Sequence, residues 1–484
     1  MKADVFDRIV ADWGDNIAEP FAALDKEMKG RRGPTAAVPV YAVAVAFVYL
    51  GVEKLPTHIT AATDVLGRAT VKQRQRLGLT KIPTYRQVGY SLDRLQRWVT
   101  TAQRSTGSGT AAEAGADTEV EKGIAADDAT GPGSGDPSDT AARVQEILDL
   151  LVPASAGPDT GQTMLAVDTT LFNGWCRPVR QEAVASDPDA SGRIIDRGHG
   201  KLDKYYGYGA VAAVRCDGTG PEVCDRVTLL SAGEDDAEAG AKVAIAVRDA
   251  GAPITRVVAD RGFSQKPARF QDVLRAAQLH VTFDLKSNDN GFTSTFRGAD
   301  VIDGWLYSPG MPKKLRTVPR PGVTATTDEK KAFAKAMAER ARWAFPAHAA
   351  PEAHRVRVAS PAARGRIRCN AVPASLDNPD PATPTCRRKH LDGEGCTITT
   401  TYFGADANPR TYQFPAWGSS DWIGIYNRRS AVERWFGHLQ SDNGVGFRRG
   451  RFQVRRITKV AVMTGVAAVA TNLRLRWNFE PATP

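Results

Sequence analysis

Between Met164 and Leu285 short apolar runs alternate with helical ones. A chain with that rhythm can bury both kinds of element only as a mixed α/β sheet flanked by helices. Strands are expected at Met164–Val167, Tyr205–Val214, Arg226–Leu230, Arg256–Ala259 and His280–Leu285, with helices at Ala237–Ala250 and Pro267–Ala277. The first and fourth strands each run out into an aspartate, as Leu165-Ala166-Val167-Asp168 and Val257-Val258-Ala259-Asp260. Strand ends are where open α/β sheets carry their chemistry. One aspartate there serves a loop cap as readily as a site. Two in one sheet repel unless a proton or a cation lies between them, so a shared divalent metal is the economical account.

The flanking regions have other patterns. Ala3 to Val99 reads as helical, with apolar or periodic stretches at Val38–Val52, Leu66–Leu77 and Tyr90–Trp98, and with Thr84 placed to cap a helix beginning near Arg86. Lys26 to Arg97 holds thirteen Lys and Arg against four acidic residues, which suits a DNA-binding helical domain. No helix-turn-helix spacing is visible, and a solvated helical surface has the same composition. Thr101 to Ala142 is rich in Gly, Ala, Ser, Thr and acids and too poor in large apolar residues to offset its ordering entropy, which is the signature of a linker. After Lys286 the α/β rhythm breaks. A helix at Thr327–Phe345 and short strands at Arg355–Val358, Arg366–Cys369 and Thr397–Phe403 are separated by Pro-rich loops, before helices return at Ile425–Leu439 and Val454–Leu475. The expected division is therefore 1–100 basic helical, 101–142 linker, 143–286 first part of the α/β domain, 287–415 a partly β insertion, and 416–484 closing helices.

Composition bounds the partners. The chain has 484 residues and is 42% hydrophobic, enough for real cores. The longest apolar stretches, Ala36–Leu50 and Val460–Ala470, are too short to span a bilayer, and Met1–Ala11 lacks the form of a secretory signal, so a cytoplasmic protein is expected. Six scattered cysteines make no disulfide framework. The net charge of +10 includes −6 from the linker, leaving +16 elsewhere and favouring a polyanionic partner.

A third carboxylate stands in the helix at Ile425–Leu439. Tyr426, Arg429, Glu433 and Gln440 are spaced i, i+3, i+7 and i+14, which on an ideal helix places them within an arc of roughly 60°. Alone, this is a solvated polar stripe with an i,i+4 ion pair. Together with the two aspartates, the segment Tyr426-Asn427-Arg428-Arg429-Ser430-Ala431-Val432-Glu433 and its continuation to Gln440 resemble the Tyr-x2-Arg-x3-Glu-x6-Lys signature of bacterial insertion-sequence transposases of the DDE type. The likeness runs from Met164 to Leu475, with Gln440 where the family usually has Lys. The resemblance implies an RNase H-like core in which Asp168, Asp260 and Glu433 bind two Mg²⁺, with Mn²⁺ able to substitute. It also implies that Tyr426 and Arg429 contact DNA phosphates near transposon ends, that Gln440 does so without a charge, and that a homodimer works on paired double-stranded DNA ends.

Weaker signals accompany it. Asp421 to Pro484 holds eleven basic and four acidic residues, and Arg448, Arg449, Arg451, Arg455 and Arg456 interleave with Phe447 and Phe452 in a pattern suited to phosphate contact or to a solvated helix end. The resemblance offers Trp305 as a stacking platform for a flipped base, against the bland alternative of a core tryptophan. Cys369, Cys386, His390 and Cys396 supply zinc-type ligands but no Cys-x2-Cys knuckle. His354-Arg355-Val356-Arg357 offers a superficial His-x2-Arg, the element of a metal-independent tyrosine recombinase, which leaves the two strand aspartates unexplained. A third alternative is a catalytically defective, transposase-derived DNA-binding protein.

Overall fold

The computed structural model describes residues 1–29, 37–101, 137–158, 161–178, 185–196, 201–218, 220–322 and 324–479. Most of the expected linker, 102–136, lies outside the described residues. The described elements that precede the sheet are helices: α1 (Ala3–Ile9), α2 (Asp15–Lys29), α3 (Val40–Val52), α4 (Ile59–Arg68), α5 (Val71–Arg76), α6 (Tyr85–Thr101) and α7 (Pro137–Leu151). The stretch expected as one helix over Leu66–Leu77 is two, because Thr70 starts a new one. Its hydroxyl accepts from the Gln73 backbone N–H while the Gln73 side chain accepts from the Thr70 N–H. Thr84 caps α6 in the same reciprocal way with Gln87.

The main sheet comprises β1 (Met164–Asn173), β2 (Ser191–Asp196), β3 (Leu202–Arg215), β4 (Cys224–Ser231), β5 (Arg256–Ala259) and β6 (His280–Phe283), with α8 (Asp236–Asp249) and α9 (Gln271–Ala276) in the crossovers. The order is β2-β3-β1-β5-β6, with β4 also on β3. β1 is antiparallel to β3, whereas β5 is parallel to both β1 and β6, so the sheet is mixed and open. β2 was not expected, because Ser191-Gly192-Arg193-Ile194-Ile195-Asp196 is half-exposed along its length and shows no buried apolar run. β1 is also longer than expected: Asp168 does not end it. β5 stops at Ala259, but β1 keeps its partner β3 as far as Asn173, through the strand-favouring Thr169, Thr170 and Phe172.

Alternation along β1 and β3 divides the core into two layers. Ala166, Ala210, Ala212 and Val214 face one apolar cluster, and Leu165, Val167, Val211 and Ala213 face the other. The second cluster is closed by α8, by α9 and by α12 (Ser420–Tyr426). The first contains α13 (Ser430–Gln440) and α14 (Ile457–Trp477), and α14 is buried from Thr458 to Leu473. Here α3, α7 and α14 pack together, so the N-terminal helices share one hydrophobic core with the sheet. The basic residues of α14 are Lys459 in its first turn and Arg474 and Arg476 in its last. The five arginines from Arg448 to Arg456 lie in the loop before it rather than on a helix.

Between β6 and α12 the chain forms β7 (Phe292–Phe296), β8 (Ala299–Ile302), β9 (Trp305–Tyr307), α10 (Lys313–Arg316), α11 (Thr327–Ala341), β10 (Arg355–Val358), β11 (Arg368–Cys369), β12 (Thr385–Cys386) and β13 (Thr401–Gly404). These make three small sheets, β7-β8-β9, β10-β13 and β11-β12, around their own apolar cluster. Arg340 of α11 is fully buried and paired at 2.6 Å with Asp303 in the β8–β9 turn. No helix among the described residues is long and apolar enough to cross a membrane.

The close approach of α3 and α14 depends on Gly51, where an added Cβ would come within 2.8 Å of the Ala470 Cβ. Gly51→Leu is expected to cost about 1–3 kcal/mol by overpacking. In thermal unfolding followed by circular dichroism and by tryptophan fluorescence, both signals should shift down together. A shift confined to the helical signal would mean that the N-terminal helices unfold separately from the sheet.

Candidate functional site

Strand geometry brings the two aspartates together. Val167 and Ala259 are register partners in the parallel β1–β5 pair, so Asp168 and Asp260 are the next residues of adjacent strands, which run about 4.8 Å apart. Asp168 has the parity of Ala166 and therefore faces the layer that holds α13. Its carboxylate accepts from the Thr169 N–H at 2.8 Å. Asp260 accepts from the Gly262 N–H at 2.6 Å, and a Cβ on Gly262 would sit 2.8 Å from the same oxygen, so glycine permits this tight turn.

Glu433 comes from the first turn of α13. The helix expected over Ile425–Leu439 is interrupted: α12 ends at Tyr426, a 3-10 turn covers Asn427–Arg429, and α13 begins at Ser430. The Ser430 hydroxyl donates to the Asn427 carbonyl at 2.9 Å, a local bond that competes with the α-helical ladder. The tighter turn rotates each residue by roughly 20° more than an α-helix does. Tyr426, Arg429, Glu433 and Gln440 nevertheless all line one cleft, together with Asp168 and Asp260.

Arg429 links the carboxylates, lying 2.7 Å from Glu433 and 3.6 Å from Asp168. Its guanidinium stands 5.7 Å from the centre of the Tyr426 ring, which is itself stacked at 4.7 Å on Trp422. Arg429 Nε is buried and has no hydrogen-bond partner among the described residues. At the far end, Gln440 Nε2 donates to the Thr170 hydroxyl at 2.9 Å, tying the end of α13 to β1.

One arginine does not balance this charge. Burial, reinforced by Asp260 and by Glu433, pushes the Asp168 carboxyl up to about 7 against the opposing pull of the Thr169 N–H and Arg429. The side chain keeps 21% of its surface open to the cleft, but protein encloses its other sides. Asp168 therefore titrates close to neutral pH, well above an ordinary carboxylate.

The cleft measures about 1500 Å³, beyond the roughly 300–1,000 Å³ of small-molecule pockets. Sequence reasoning missed its basic walls: Arg193 from β2, Lys266 after β5, and Arg320 and Lys330 from the segment between β6 and α12. Arg193 and Lys266 both pair with Asp236, and Arg320 pairs with Asp284. No spacing in the sequence marks them, since the topology of β2 and of the Pro-flanked Arg320 loop delivers them to the cleft.

Other expected site residues lie elsewhere. Trp305 is 3% exposed, packed against Phe403, Tyr412 and Phe414 with its N–H donating to the Phe345 carbonyl, so it is a core tryptophan and no platform for a base. Arg448, Arg449, Arg451, Arg455 and Arg456 are not among the cleft-lining residues. Arg449 and Arg455 donate to the Cys176 and Trp175 carbonyls, Arg451 donates to the Lys54 carbonyl, Arg448 pairs with Asp442, and Arg456 with Asp189. This loop thus braces the segment after β1. His354 and Arg357, of the His-x2-Arg pattern, pair with Glu352 and with the Thr400 hydroxyl and are not among the cleft-lining residues.

Compared with protein-family models, curated proteins and solved structures, the chain gives no match in any of the three.

The raised Asp168 value predicts a pH dependence. The folded chain keeps a proton that the unfolded chain releases above about pH 4, so this group's contribution to stability falls as pH rises towards 7 and levels off beyond. In chelator-treated protein, Asp168→Asn should therefore gain stability relative to the wild type between pH 5 and pH 8, measured by urea unfolding. A difference independent of pH would refute the assignment.

Proposed function

We propose that this chain is a DDE-type DNA transposase of an insertion sequence, with an RNase H-like catalytic core, cutting DNA at element ends and joining it to a target. One observation carries the reading: Asp168, Asp260 and Glu433, from three distant segments, line one wide cleft in the order and with the Tyr426–Arg429–Glu433 spacing of that family.

The donor set suits Mg²⁺ or Mn²⁺. Three carboxylates are hard oxygen ligands, and Asp260 and Glu433 lie close enough to add to the burial that raises Asp168, a charge that a divalent cation would relieve. Asp168, Asp260 and Glu433 would hold such ions. When bound, two such ions activate a water or a 3′-hydroxyl and stabilise the departing oxygen of a phosphodiester, so one site serves both cutting and joining.

The chain's own residues supply positioning. Arg429 is anchored by Glu433 and Asp168 and lines the cleft, so its guanidinium can bind a phosphate oxygen beside the carboxylates. Tyr426 fixes the guanidinium from one side while Trp422 fixes Tyr426. Lys266, Arg193, Arg320 and Lys330 line the walls along which a polyanionic backbone would run. Gln440, bonded to Thr170, aligns the end of α13 on β1 and offers hydrogen bonds in place of the lysine charge usual in the family.

The deciding experiment is cleavage of a labelled duplex bearing the element's own ends, with Mg²⁺, with Mn²⁺ and with EDTA. Glu433→Gln should lower cleavage by more than about 100-fold, the upper end of what losing a metal's outer-shell partner costs, while binding of the ends persists. Cutting that survives EDTA or the substitution would point to a metal-independent recombinase. Binding without cutting under any metal would identify a defective DNA-binding relative.

A further inference from the structure

Outside the cleft, a second cluster of metal-ligand side chains lies in the region between β6 and α12. The Sγ atoms of Cys369, Cys386 and Cys396 and a ring nitrogen of His390 all lie within 4.8 Å of one another. All six cysteines of the chain are buried free thiols, but the other three, Cys176, Cys216 and Cys224, belong to no such cluster among the described residues. We propose that Cys369, Cys386, His390 and Cys396 form a structural Zn²⁺ site that holds this lobe together.

Four arguments converge. The first is the donor set: three thiols and one imidazole are the soft ligands of a closed tetrahedral zinc site, and four ligands leave no open position for catalysis. In such a site, Zn–S bonds of about 2.3 Å put the sulfurs roughly 3.8 Å apart, compatible with the observed limit.

The second is the backbone. Cys369 and Cys386 are register partners in the parallel β11–β12 pair, and each strand is only two residues long. So short a pair is not self-supporting, and a metal bridging both cysteines would supply the missing fixation.

The third is the space around the ligands. A Cβ on Gly310 would stand 2.3 Å from Cys386 Sγ, and one on Gly395 would stand 2.5 Å from His390 Nδ1, so both walls close on the ligands without room for a side chain. Gly395 also has φ of 52°, where glycine is favoured.

The fourth is the surrounding hydrogen bonding. The Ser308 hydroxyl lies 3.2 Å from Cys396 Sγ and 3.7 Å from Cys386 Sγ, positioned to donate to thiolates, while His390 Nε2, 3.4 Å from Cys386 Sγ, stands at the separation of two ligands of one tetrahedral ion. Donors of this kind are what metal-bound sulfurs recruit. The sequence offers these four as zinc-type ligands without a Cys-x2-Cys knuckle, and it is β11 and β12 rather than a knuckle that bring the first two together.

The test uses the full chain purified without chelators. Plasma mass spectrometry should find about one zinc ion per chain. Exchange for Co²⁺ should give the visible bands of tetrahedral cobalt with thiolate-to-metal charge transfer in the near ultraviolet. Cys369→Ser and Cys396→Ser should each lose stoichiometric zinc, while Cys216→Ser and Cys224→Ser keep it. Because a zinc-free lobe can fail to fold, the wild-type cobalt spectrum serves as the independent reading. Three results would each overturn the proposal: no bound metal together with no tetrahedral cobalt spectrum on adding Co²⁺ to reduced protein, a disulfide among the three cysteines, or zinc retained in both ligand variants.

Discussion

Parallel pairing of β1 with β5 places two carboxylates side by side, and much of the molecule follows from that adjacency. Val167 and Ala259 share a register, so Asp168 and Asp260 follow side by side at the ends of that pairing, and both line the cleft. Burial first, and then the charges of Asp260 and Glu433, raise the Asp168 carboxyl, while Arg429 beside it pulls the other way. β1 continues past the point where β5 stops, which keeps Asp168 braced by β3 while one side stays open to the cleft.

The layer that delivers Glu433 depends on burial far from the cleft. α13 rests on the sheet through Ala431, Val432, Trp435 and Leu439, and α14 beside it is buried along nearly its whole length by α3, α7 and the sheet. Asn472, in the middle of α14, accepts from the Trp435 indole N–H and from the Cys224 backbone N–H, linking α14 to both α13 and β4. The N-terminal helices are thus part of what fixes the third carboxylate in place. Arg320 and Lys330 bring the region between β6 and α12 into the lining of the same cleft.

Much of this was legible in the chain. The strand at Arg256–Ala259 matches its expected bounds, and those at Tyr205–Val214 and Arg226–Leu230 lie within β3 and β4, because buried sheet strands are continuous apolar runs. The aspartates and the Tyr426–Gln440 spacing identified the residues that line the cleft. What escaped was whatever depends on contacts distant in sequence. β2 is half-exposed and carries no apolar signal, the break at Asn427–Arg429 comes from a single serine side chain, and the basic walls are assembled by topology. Trp305 shows the converse, since a residue type suited to stacking on a base serves core packing, and Arg449 and Arg455 donate to the Cys176 and Trp175 carbonyls. The cysteines were visible as residue types, but only the β11–β12 register shows why they converge.

The central claim is that Asp168, Asp260 and Glu433 act as one cation site. Its most direct test is Mn²⁺ titration of the zinc-replete chain followed by electron paramagnetic resonance, comparing wild type with Asp168→Asn, Asp260→Asn and Glu433→Gln. The account predicts that the wild type takes up Mn²⁺ saturably and that each substitution weakens that uptake, with the two aspartate variants affected most. Uptake equal to wild type in all three variants would contradict it.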